Sequence, residues 1–170
     1  GHFQRTARRR DFSLQPPDYT LLDVSVKAGY EVRAIGKIKD IFAGKSITWS
    51  EKTKSNEQGL EKTLDQLRKS FSGLLLVNLV DFDMLYGHRN DVSGYAEALR
   101  VFDQKLPQLI SQLKKDDLMI ITADHGCDPT FPGSDHTREA VPMIALGPAI
   151  AKGVNLNTRY GLSDIAATAA

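Results

Sequence analysis

Three of the four histidines in this sequence share three short segments with aspartates. The first runs Asp81-Phe82-Asp83-Met84-Leu85-Tyr86-Gly87-His88, the second is Asp124-His125-Gly126, and the third is Asp135-His136-Thr137-Arg138-Glu139. Carboxylate oxygens mixed with imidazole nitrogens suit Mn²⁺, Zn²⁺ or Fe²⁺, and the absence of clustered cysteines argues against a thiolate zinc site. Asp83 and His88 are separated by a turn containing Gly87, so both can converge on one ion. Asp124 and His125 are adjacent and can aim at one ion or at two neighbours, and His136 is a fifth donor. A lone Asp-His pair is more often a surface turn or a helix cap. Three such segments at strand ends favour a metal site. Two ions with about four ligands each need more than five protein donors, so further ligands are expected from outside this chain.

The elements that must position these residues follow from hydrophobic spacing. Thr20 to Ala28 has a helical pattern and stops at Gly29, and Tyr30 to Ile35 alternates like a strand ended by Gly36. A polar loop with Gly44 and Lys45 follows. Asn56 to Phe71 is expected to be a helix, with Leu60, Leu64, Leu67 and Phe71 on one stripe. Leu74 to Val80 is almost continuously apolar, as in a strand buried on both faces. Ser93 to Lys114 is expected to be a second long helix, with Tyr95, Leu99, Phe102, Leu106, Leu109 and Leu113 facing inward and Pro107 kinking or breaking it. Leu118 to Ile121 and Ala140 to Leu146 are expected as strands, the latter starting or lying at an edge because of Pro142. Strands alternating with helices predict an α/β fold, a mostly parallel sheet with helices on both faces. Ligands in such sheets sit beyond the carboxyl ends of the strands, where the Asp-His segments fall.

Hydrophobic residues make up 41% and charged residues 25% of the chain, as in an ordinary globular domain. A net charge of +1 gives no overall attraction to nucleic acid or to a membrane surface. The single cysteine, Cys127, cannot form an internal disulfide and fits a reducing compartment. No apolar run approaches the roughly 20 residues that span a bilayer. A cytoplasmic protein is expected, with no nucleic-acid or membrane partner. The chain lacks an initiator Met, opens in a basic stretch and stops within an opening helix at Leu162 to Ala167, so a fragment is expected.

Longer stretches carry a family resemblance. Asp81 to Arg89, Thr122-Ala123-Asp124-His125-Gly126-Cys127-Asp128-Pro129-Thr130 and Asp135 to Glu139 closely resemble the metal motifs of bacterial phosphopentomutases, of the alkaline-phosphatase superfamily. Arg5-Thr6-Ala7, Asp11-Phe12-Ser13, Pro16-Pro17 and Ile35 to Ala43 extend the similarity over nearly the whole chain. The resemblance implies an alkaline-phosphatase-like core lacking its N-terminal part. Residues 1–15 would be the end of an inserted cap domain or a hinge, and 16–170 the C-terminal part of the metal-binding core. It implies that Asp83, His88 and His136 hold one ion while Asp124 and His125 help to hold another, two Mn²⁺ in all. A further Asp and a phosphorylated Thr would come from the N-terminal remainder of the same protein, because no matching motif is present here. The implied reaction interconverts (deoxy)ribose 1-phosphate and 5-phosphate, with a pentose phosphate substrate and a sugar bisphosphate activator.

Lys37, beside Gly36, can reach a sugar phosphate as a mobile point charge or be an ordinary surface lysine. Arg5 can bind phosphate bidentately or lie in a solvated hinge. Asp81 reads equally as the orienting partner of a ligand histidine and as a helix cap. Asp128 and Asp135 can play the same part, and Arg138 and Glu139 can pair to brace the loop. Cys127 is a small packing residue rather than a nucleophile. The alternatives are another phosphomutase or phosphatase of the superfamily or, for the isolated chain, a metal-binding fragment without catalysis.

Overall fold

The computed structural model describes residues 12–169. Helix α1 (Leu21–Lys27) opens with a reciprocal cap. The Asp23 carboxylate accepts from the Thr20 N–H at 2.7 Å, and the Thr20 hydroxyl oxygen accepts from the Asp23 N–H at 3.4 Å. Strand β1 (Glu31–Ile35) follows, then the single-turn helix α2 (Ile38–Ile41) and strand β2 (Trp49–Glu51). Helix α3 (Asn56–Leu67) leads to β3 (Gly73–Val77). After the turns that carry the first Asp-His segment come α4 (Val92–Ile110), β4 (Met119–Thr122), β5 (Met143–Leu146) and α5 (Ser163–Ala169).

The α/β class stands, with a parallel sheet in the order β2-β1-β3. The single sheet expected does not: β4 and β5 pair antiparallel in a second, two-stranded sheet. Burial is concentrated on β1, whose Val32, Ala34 and Ile35 join Leu22, Leu60 and Leu109 as the buried apolar residues. Strand β3 is an edge strand and only half-buried, contrary to the two-sided burial that its apolar run suggests.

Several boundaries depart from the hydrophobic pattern for identifiable reasons. The loop expected after Gly36 contains α2 and β2, both too short to show a period. Strand β2 is entered through Thr48, whose hydroxyl donates to the Val32 carbonyl and accepts from its N–H, both at 3.0 Å. Helix α3 stops at Leu67, short of Phe71. Its ring lies 4.2 Å beneath the Arg33 guanidinium, which donates to Gln66 of α3 at 3.0 Å. Helix α4 is continuous through Pro107, which falls in its last turn and leaves the Asp103 carbonyl without its i+4 donor, so any distortion is confined to the helix's end. Leu99, expected inward, is 50% exposed.

Asp23 ties α1 to the loop before β2. Only 8% exposed, it accepts from the Ser46 hydroxyl at 2.5 Å and the Thr20 hydroxyl at 2.8 Å, with the Lys45 ammonium 3.4 Å away. The Ser46 hydrogen bond above all, then that from the Thr20 N–H, holds its carboxyl well below the usual carboxylate range despite its burial. A depressed carboxyl contributes stability that is complete above its unfolded pKa and drains away as pH falls through the folded one. Asp23→Asn is therefore expected to lower Tm at neutral pH and to flatten the loss of Tm on acidification from about pH 5 to about pH 2. Superimposable acid profiles for the two proteins in thermal unfolding would show that the network contributes nothing.

Candidate metal centre

Strands β1 and β3 leave the sheet together. The Asn78 N–H donates to the Ile35 carbonyl at 3.1 Å, and Gly36 sits against the Asn78 carbonyl, where a Cβ would lie 2.4 Å from that oxygen. From there the chain passes to Asp81, which the structure gives to a helix end rather than to a histidine. Its carboxylate accepts from the Asn56 N–H at the start of α3 at 2.6 Å, and its own N–H donates to Asn56 Oδ1 at 2.9 Å. Thus anchored, Phe82–Tyr86 forms one π-helical turn, whose extra residue widens the coil. Phe82 packs on Tyr95 of α4 with ring centroids 5.5 Å apart. Gly87–Arg89 closes as a 3₁₀ turn, and Asn90 ends it in the left-handed region at φ 51°.

The second and third segments form one structure. The Gly126 carbonyl accepts from the Thr137 N–H at 3.1 Å, and the Thr137 hydroxyl accepts from the Asp128 N–H at 2.7 Å. Residues 128–137 are thereby closed at the base as a loop. Gly87 is buried against Cys127, which brings the first segment onto the second.

At this junction Asp83, His88 and His136 offer ligand atoms that all lie within 4.8 Å of one another. His88 Nε2 and His136 Nε2 are each 3.2 Å from Asp83 Oδ1. That oxygen is buried without a hydrogen-bond partner among the described residues, a costly arrangement for a carboxylate. His88 Nδ1 lies in hydrogen-bond contact with the Ser134 carbonyl, which assigns the ring proton to Nδ1 and leaves the Nε2 lone pair facing Asp83. Two imidazole nitrogens this close to a carboxylate oxygen that has no hydrogen-bond partner among the described residues fit a divalent cation.

His125 lies alongside. Its ring stacks on His136 with centroids 3.6 Å apart, and its Nδ1 is 3.0 Å from the Gly126 carbonyl oxygen. Asp124 Oδ1 is 3.6 Å from His125 Nε2, and its side chain is 67% exposed. These two adjoin the three-residue group without joining it, so the five residues form a row from Asp124 to His88.

Lys37 leaves the carboxyl end of β1 half-buried, and no ion pair to its ammonium occurs among the described residues. Arg5 and residues 1–11 of the expected cap segment lie outside the described residues. Asp128 Oδ1 accepts from the Thr130 N–H at 2.8 Å and the Thr130 hydroxyl at 2.7 Å, which shapes the loop. No ion pair joins Arg138 to Glu139 among the described residues. Burial, then the charges of Asp83, Asp128 and Glu139, push the Cys127 thiol above its usual range, which suits a packing residue and not a nucleophile. Asn90 and Ser134, which contact this site, carry no signal in the sequence pattern.

A model of the metalloenzyme superfamily matches residues 1–170. The chain belongs to the metalloenzyme superfamily. The chain is 58% identical to a phosphopentomutase of Carboxydothermus hydrogenoformans over 99% of its length and 43% of that protein's. It is 55% identical to the phosphopentomutase of Caldanaerobacter subterraneus subsp. tengcongensis and 52% identical to that of Acetivibrio thermocellus, over its whole length in both cases. The chain thus spans less than half the length of the curated relatives it matches, 43% and 44% in these two. A solved structure of Leishmania mexicana phosphoglycerate mutase at low cobalt concentration superposes with a TM-score of 0.60 over 78% of this chain and 32% of that one. At 18% identity, that likeness speaks for the superfamily fold alone.

Proposed function

We propose that the full-length protein is a phosphopentomutase, an isomerase that interconverts ribose or deoxyribose 1-phosphate and 5-phosphate. The observation that carries this reading is the orphaned Asp83 oxygen facing two histidine nitrogens, in a chain 58% identical to a relative of that name. Asp83, His88 and His136 would hold one divalent ion, manganese by family resemblance. Asp124 and His125 would contribute to a second, completed by an Asp and a phosphorylated Thr from outside these 170 residues. Ions held there would supply neutralisation of phosphoryl charge, on the attacking and the leaving oxygen alike.

The chain's own residues do the positioning. The Ser134 carbonyl holds the proton of His88 at Nδ1, so its Nε2 stays available as a ligand. Lys37, which follows β1, would meet a sugar phosphate, and Arg5 would add a bidentate contact. A sugar bisphosphate would prime the enzyme, and the cytoplasm is the expected compartment. No helix among the described residues is long and apolar enough to cross a membrane. A second reading, metal binding without catalysis, applies to the isolated 170 residues because no motif matching the expected nucleophilic Thr is found in them.

The full-length protein, primed with a sugar bisphosphate and given Mn²⁺, is expected to convert ribose 1-phosphate to ribose 5-phosphate until a chelator is added. Failure to do so, with hydrolysis of another phosphate ester instead, would move the function to a phosphatase of the same superfamily.

A further inference from the structure

The loop that delivers His136 is poorly supported by packing. Every residue from Thr130 to His136 is exposed, Phe131 at 58%, and Gly133 has a φ of 114°. A segment without buried side chains is held in place by its hydrogen bonds. Those at its base, between Gly126, Asp128 and Thr137, close the loop but do not orient it toward the first segment. Among the described residues, two side chains outside the loop hydrogen-bond to it. One is His88, itself a candidate ligand. The other is Asn90, whose side-chain amide donates to the Phe131 carbonyl at 2.8 Å and the Pro129 carbonyl at 3.2 Å.

We propose that Asn90 is a positioning residue of the metal centre, a clamp that sets His136 against Asp83 and His88. This rests on the reading of these three residues as ligands. Asp83 and His88 belong to one short segment, and their separation is fixed locally by the π turn and the 3₁₀ turn. His136 comes from a different segment, and its distance from them depends on how the loop is tethered. Asn90 is suited to the task because it immediately follows the 3₁₀ turn that carries His88. Its backbone is left-handed (φ 51°, ψ 33°), a conformation that Asn adopts more readily than other residues except Gly. Both donors of its amide are used on two carbonyls of one loop, so the loop is held at two points rather than hinged about one.

Two substitutions separate the clamp from the backbone. Asn90→Gly keeps the left-handed turn but removes the amide, and Asn90→Asp keeps the shape but turns a donor into an acceptor facing two carbonyls. In the full-length protein, calorimetric titration with Mn²⁺ is expected to give both variants about 10- to 100-fold weaker binding than the unsubstituted protein, the range for residues that orient ligands. The Tm in the presence of a chelator should stay unchanged, and saturating Mn²⁺ should restore much of the lost mutase rate. Unchanged Mn²⁺ affinity in Asn90→Asp would overturn the clamp. A clear fall in chelated Tm in either variant would also overturn it, making Asn90 a structural residue. Mn²⁺ binding without mutase turnover in the unsubstituted protein would refute only the proposed reaction. No Mn²⁺ binding there would overturn ligands and clamp together.

Discussion

Asp83→Asn in the full-length protein is expected to lower manganese-dependent turnover at least about a thousandfold, or ~4 kcal/mol of transition-state stabilisation, while leaving the metal-free protein as stable as before or more so. The two halves of this expectation share one cause. Asp83 Oδ1 is buried, has no hydrogen-bond partner among the described residues and faces two imidazole nitrogens at 3.2 Å. A carboxylate placed to stabilise the fold would be satisfied by donors, as Asp23 and Asp81 are. Without a cation, the charge on Asp83 is a burden that Asn removes, and the Asn amide can donate to one of the two rings. Activity against Mn²⁺ concentration, together with melting in a chelator at about pH 8, above the usual imidazole range, checks both halves. Turnover within a few-fold of the unsubstituted enzyme would sink the ligand assignment. A marked drop in chelated Tm would make Asp83 a structural group instead.

The second large effect concerns Gly87. Its φ of −59° is open to any residue, so space and not backbone conformation requires glycine here. A Cβ would lie 2.2 Å from Cys127 Sγ and 3.1 Å from the Phe82 carbonyl oxygen. Gly87→Ala is expected to destabilise by about 1–3 kcal/mol, the usual cost of overpacking, and to weaken activity because His88 is the next residue. The same geometry contains its remedy. Cys127 Cβ is 3.9 Å from the added carbon, an ordinary contact, so Cys127→Ala should recover most of the lost stability in the double variant. Denaturant unfolding of the two single variants and the double variant measures the coupling. Strict additivity would mean that the two segments do not press together here. Cys127→Ala alone is expected to keep near-normal turnover, and its inactivity would return the thiol to consideration as a nucleophile.

The long helices and the apolar strands were readable because their periods extend over several turns or bonds. Helix α4 is the clearest case, with Phe102, Leu106 and Leu109 turned inward as expected. Strand β2 was not readable, because three residues show no alternation and its entry depends on the Thr48 side chain meeting β1. The separation of the strands into two sheets was likewise hidden. An apolar run such as Leu74 to Val80 does not say which neighbour, if any, will cover its second edge. In the site, Asp83, His88, Asp124, His125 and His136 stand out in the sequence as candidate donors by residue type, and the structure groups Asp83, His88 and His136. The grouping of Asp83 and His88 followed from their spacing, and that of His136 with them came from family resemblance. Asn90 gave no such sign, because a tethering amide looks like any other polar loop residue until the loop it holds is seen. The π turn was equally silent, since one extra residue in a coil leaves no mark on composition.

The division into two sheets has a mechanical consequence. Asp83 and His88 follow the parallel sheet, whereas Asp124, His125 and His136 follow strand β4 of the antiparallel pair. No ladder hydrogen bond connects the two sheets among the described residues. An ion shared by Asp83, His88 and His136 would therefore act as a rivet through two plates. Its hold would resist sliding of one sheet past the other, and any such shear would be felt directly as a change in the shape of the coordination site.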